Sequence, residues 1–227
     1  MSLPAQLTDR LAEGLAALYR HPERTLLAWH RYAIYTALTI GDPLRGGAAR
    51  IWLDILAVRH ALFCWPHDSH DLWPTPEDLL ALAEQTLAAA ADCASVGKQL
   101  NRALALADIA GADITSPRYC GWCVYEGALR ALGGAWAYDR LRAGRDAGAA
   151  MYDPTSCADD ASTYAATAVA GGEWHHAGAP GRGADVGRWD WQTEDAQLRR
   201  AVFWEWWLRE AVPTAWRRAG SICSSSR

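Results

Sequence analysis

Apolar residues recur along this chain at spacings of three and four and rarely alternate, the pattern of helices that pack through one face. Leu7, Leu11, Leu15 and Leu18 predict a first helix over 4–19 that stops around His21-Pro22. Pro22 is placed near the start of a second helix, with a stripe of Leu26, Trp29, Ala33, Ala37 and Leu38 running to the break at Gly41-Asp42-Pro43. A third helix is expected over 48–64, with Ile51, Ile55, Val58 and Leu62 on one face, ending at Pro66. The prolines of 65–78 predict a loop, and Thr75-Pro76-Glu77-Asp78 is a start signal for the next helix.

Two Ala/Leu-rich helices come next over 79–92 and 95–110, then one over 119–141 weakened at Gly133-Gly134. A Gly/Ala-rich stretch, 142–154, leads to a short helix over 159–170. The segment 171–191 holds six glycines and reads as a long loop. Thr193-Glu194-Asp195 opens a last helix, expected to end at Val212 or kink at Pro213. These elements predict a single all-α domain of about seven to nine helices over 1–217, with 218–227 a flexible tail.

Composition narrows the function classes. With 51% hydrophobic and 21% charged residues the chain is globular, and its net charge is −4. Lys98 is the only lysine and no basic stripe forms, which argues against nucleic acid as a partner. No uncharged apolar run reaches the length of about 18 residues that marks a membrane span. The first residues carry charge and lack an apolar stretch, so the expected location is cytoplasmic. Six irregularly spaced cysteines suit reduced thiols.

Candidate chemistry is sparse. Cys120-Gly-Trp-Cys123 is a C-x-x-C pair, but no βαβ unit surrounds it and no His comes closely after Cys123. A thiol oxidoreductase is one alternative reading, and two small apolar side chains on a helix is the plainer one. His67, Asp68, His70 and Asp71, with His175 and His176 far downstream, offer metal-ligand types at spacings that match no helical metal motif. A helical scaffold or metal-binding protein is therefore a further alternative. Phosphate-loop, nucleophile-elbow and dinucleotide motifs are missing from the sequence, so no cofactor is expected. Asp159-Asp160 and Glu194-Asp195 suit helix capping or binding.

The feature that stands out is Arg199 to Trp216, with four of the chain's 13 tryptophans. A helical wheel puts Ala201, Trp204, Trp207, Leu208 and Ala211 on one face, the expected core side. Trp206 falls nearly opposite, among Arg199, Val202, Arg209 and Glu210, and Phe203 lies at the border. Arg200 sits on the stripe and needs a carboxylate or an indole face there. Arg200, Trp204, Trp207 and Leu208 are the expected latch that holds this helix down.

The pattern Arg199, Arg200, Phe203, Trp204, Trp206, Trp207, Leu208, Ala211, Val212, Pro213, Ala215 and Trp216 resembles the C-terminal signature of the fifth immunity-protein family of bacterial polymorphic toxin systems. Upstream, Asp159-Asp160, Tyr164, Ala165, Ala168 and Gly171-Gly172-Glu173-Trp174 are similar to the stretch such proteins carry before it. The likeness covers about a quarter of the chain, and 119–153 and the Gly-rich 177–191 depart from it. It implies an all-α, non-catalytic protein that neutralises a cognate protein toxin by binding it. The expected contacts are Asp159, Asp160, Glu173, Trp174, Asp185, Trp189, Asp190 and Trp191, although the three tryptophans would serve equally as cover for the last helix.

Overall fold

The computed structural model describes residues 2–65, 74–110, 118–144, 160–171, 174–176, 187–189, 191 and 193–225. Within these the chain is helical apart from one small ribbon, as the spacing of apolar residues predicts. The helices are α1 (Ala5–Arg20), α2 (Ala28–Thr39), α3 (Pro43–Ala61), α4 (Pro76–Leu87), α5 (Cys93–Ala110), α6 (Tyr119–Arg142), α7 (Ala161–Gly171), α8 (Glu194–Trp206) and α9 (Val212–Ser225). The ribbon pairs β1 (Trp174–His176) antiparallel with β2 (Gly187–Trp189), Trp174 opposite Trp189.

Two helices form the centre. α3 packs against α2, α4, α6, α7 and α9, and α6 against α3, α4, α5 and α7. Their sequences explain this: α6 buries residues on every side, and Gly127 lets α3 and α7 approach closely, since a Cβ there would stand 2.8 Å from Val58 and 3.4 Å from the Ala161 carbonyl. α3 starts where Asp42 caps the backbone N–H of Arg45 at 3.0 Å, with Pro43 in its first turn. It therefore begins five residues earlier than the apolar stripe suggests. Thr75 and Asp78 form a reciprocal capping box at the head of α4, as the sequence signal predicts.

α2 departs from expectation. Residues 21–27 form a turn, with Arg24 in the left-handed region at φ 53°, and the helix begins only at Ala28. Its buried face is Arg31, Ile34, Tyr35 and Leu38, and Trp29 points outward. That phase results from Arg31, which is drawn inside by a carboxylate.

The C-terminal rod also differs. Pro213 neither ends nor breaks the helix: Trp207–Ala211 form a π turn, closed by the Val212 N–H donating to the Trp207 carbonyl. Proline cannot donate to the carbonyl one turn back, and the widened turn accommodates that loss. One extra residue in a turn rotates the remainder of the helix by about 100°. This realigns Val212, Ala215, Trp216 and Ala219 with Phe203, Trp204, Trp207 and Leu208, so all eight reach one core. The expected tail at 218–227 is corrected accordingly, because α9 runs to Ser225 and Ala219 is fully buried.

Candidate functional site

The two segments that carry the family resemblance meet inside the protein. Asp160 caps α7, accepting from the Thr163 N–H at 2.7 Å. Its other carboxylate oxygen accepts from Arg31 Nε at 3.0 Å and from the Tyr35 hydroxyl at 2.8 Å. Arg31 also donates to Thr163 Oγ1 at 2.6 Å, and its guanidinium lies 5.2 Å from the Trp204 ring centroid. Burial, and then the nearby Asp160 and Asp54 carboxylates, push the Tyr35 hydroxyl well above its ordinary range, which keeps it a donor. Beside Thr163 in the chain, Ser162 accepts from the Trp207 indole N–H at 2.9 Å.

This network corrects the assignment of Asp160 to a partner surface. Asp160 is buried, and its charge is matched internally by Arg31 across 129 residues of sequence. The capping reading of Asp160 is the one the geometry supports. Trp191 is half-buried, edge-on to Tyr119 at 5.9 Å, and packs toward the chain at Gly171. It covers the fold. Trp174 and Trp189 are paired in the ribbon register, while Asp159, Glu173, Asp185 and Asp190 lie outside the described residues.

Trp204, Trp207 and Leu208 are buried, and Phe203, expected at the border, is fully buried too. Arg200 donates to the Glu23 carbonyl at 3.0 Å and reaches the Trp191 carbonyl at 3.5 Å, and the Glu23 carboxylate favours its charge. It thereby ties α8 to the turn between α1 and α2. Trp206 is half-buried and stacks on His60 of α3, with centroids 3.9 Å apart.

The cysteine pair sits in unreactive surroundings. Cys120 and Cys123 are buried free thiols, and burial raises both, Cys123 to about 12. Half-buried Cys64 is likewise raised to about 12 by burial. Such thiols carry almost no thiolate near neutrality. Gly171 is required beside them, because a Cβ there would run into Cys120 Sγ. Among the described residues no three His, Cys, Asp or Glu side chains converge to hold a metal ion; His67 and His70 lie outside them.

What sequence reasoning missed is the outer face of α1 and α2. Trp29 is 63% exposed, and among the tryptophans with described side chains it alone is exposed. Leu27, Tyr32 and Tyr19 are exposed around it, and Glu13, Ala16, Ala17, Arg20, His21 and Trp29 line a shallow groove of about 680 Å³. Burial lowers His30 beside it, which favours the neutral ring. The available signal was Arg31 at the spacing of a core position.

No protein-family model matches the chain, and no curated protein sequence matches it.

Proposed function

We propose that this protein is a non-catalytic immunity protein that binds a cognate bacterial protein toxin and keeps it inactive in the cell that makes it. The observation that carries this reading is the exposed aromatic face of α1 and α2, where Trp29 stands in water beside Leu27, Tyr32 and an open groove. Tryptophan and tyrosine concentrate binding energy at protein interfaces, and exposed apolar area of this kind marks a contact surface. The resemblance residues support the reading in a different way. Asp160 and Trp207, two of those residues, serve the scaffold, through the Asp160–Arg31 pair and the Trp207–Ser162 bond, rather than the contact surface. The thiol-enzyme alternative finds no support in the buried, raised thiols.

A net charge of −4 would speed encounter with a basic toxin. The test is co-expression of the tagged protein with the product of the neighbouring reading frame, then calorimetry at low and high salt. Rescue of growth together with a one-to-one complex supports the reading. Failure of the pair to associate, with the toxin's lethality unrelieved, overturns it.

A further inference from the structure

Among the described residues, one face of α8 is left exposed. Along it Asp195, Leu198, Val202, Trp206 and Arg209 succeed one another at spacings of three, four, four and three. On a helix of about 100° per residue, that spacing keeps Asp195, Leu198 and Trp206 within about 40° of Val202, and Arg209 follows in the π turn of Trp207–Ala211. Leu198 is 62% and Val202 57% exposed, Asp195 and Arg209 are exposed, and Trp206 is half-buried on His60. Two apolar side chains on successive turns thus stand in water between opposite charges.

We propose that this face binds a second copy of the chain, α8 against α8, antiparallel about a two-fold axis beside Val202. The spacing reads the same from either end, which is what a self-complementary contact requires. The axis brings Val202 against its counterpart and sets Leu198 beside Trp206 of the second copy. It also places Asp195 opposite Arg209, and does so twice. A parallel pairing would instead set Asp195 against Asp195 and Arg209 against Arg209, so the charges select the direction. Arg209 is exposed, lies 2.8 Å from Glu205 and bonds the Tyr19 side chain of α1, contacts it exchanges for Asp195 of the second copy. Phe63, one turn beyond the His60 that stacks on Trp206, is also 72% exposed. A single helical seam is smaller than a permanent interface, so the dimer forms reversibly with concentration.

The test is the solution mass of the full chain by sedimentation equilibrium over rising concentration. The wild-type mass is expected to climb from one chain toward two. Val202→Glu places two carboxylates at the axis and holds the mass at one chain. Asp195→Arg and Arg209→Asp each lose the dimer, and the two together regain it, a recovery that no folding defect can mimic. Thermal melts followed by circular dichroism verify that each variant is folded. A wild-type mass of one chain throughout, a dimer that survives Val202→Glu or either single charge change, or a folded double variant that stays monomeric overturns the proposal. The toxin takes no part in this experiment, so its outcome is independent of the proposed function.

Discussion

The Trp207 indole N–H donates to the Ser162 hydroxyl at 2.9 Å, joining the C-terminal rod to α7 across 45 residues of sequence. Both groups are buried, so neither has water as a substitute partner. Ser162→Ala leaves the indole N–H without an acceptor and is expected to cost about 1–3 kcal/mol. Trp207→Phe in that background removes the orphaned donor, so its further cost should be smaller than in the wild-type protein. Urea denaturation of the four-member cycle measures this, and strict additivity would show that the bond contributes nothing.

Arg31 and Asp160 pose a sharper question, because their charges are buried together with side chains only 5% and 2% exposed. Removing one partner strands the other charge, so Arg31→Met or Asp160→Asn should cost about 3–5 kcal/mol. Replacing both, Arg31→Met with Asp160→Asn, removes both charges and should cost well under the sum, as chemical denaturation of the three variants would measure. The residual loss in the double variant is mainly the bonds that Arg31 gives the Leu26 carbonyl and Thr163, since Asn still caps α7.

Much of this architecture was legible from spacing. The apolar periodicity located the helices, and the Thr75 to Asp78 signal fixed the start of α4, because both rest on local backbone geometry. The phase of α2 was not legible, since Arg31 is buried by a carboxylate 129 residues away and no local pattern announces that partner. The same cause moves Trp29 from the expected stripe to the surface. At Pro213 the local rule predicts a stop, whereas the demand that Trp216 and Ala219 reach the core produces a π turn. The place of Asp160 was hidden because an acidic pair at a helix start has one sequence signature, whether the carboxylate faces solvent or a buried arginine.

The tryptophans of α8 should separate in a mutational test. Trp204 is 2% exposed, edge-on to both Phe203 and Trp207, whereas Trp206 is half-buried on His60. Trp204→Ala is expected to cost more than about 3 kcal/mol and Trp206→Ala less than about 1.5. Chemical denaturation decides, and equal losses would mean that the His60 stack holds as much as the core does.

Alkali should destabilise the fold before it damages the chain chemically. Cys64, Cys123, Tyr119 and Tyr125 are each raised to about 12, chiefly by burial, from ordinary values of 9 for the thiols and 10 for the phenols. Between those values and 12 the unfolded chain releases protons that the folded chain retains, so unfolding becomes easier as pH rises. The stability these neutral groups contribute is fully present below pH 9 and lost as pH climbs through the window to 12. Thermal melts from about pH 7 to about pH 11 should show Tm flat at first and then falling. In Cys64→Ala and Cys123→Ala variants the fall should begin later, and an unchanged onset would place its origin elsewhere.

Trp29 separates stability from binding. Its side chain is mostly in water, so Trp29→Ala should change folding free energy by no more than about 0.5 kcal/mol. If the α1 and α2 face is the toxin contact, the same change should weaken the complex by about 2 kcal/mol or more, the loss typical of an aromatic anchor. Tyr32→Ala, one turn along the exposed side of α2, should add to the defect. Calorimetric titration of the cognate toxin reads affinity, and thermal melts of the free variants read stability. A folded Trp29→Ala variant that binds with unchanged affinity would move the contact away from this face, toward the ribbon that pairs Trp174 with Trp189.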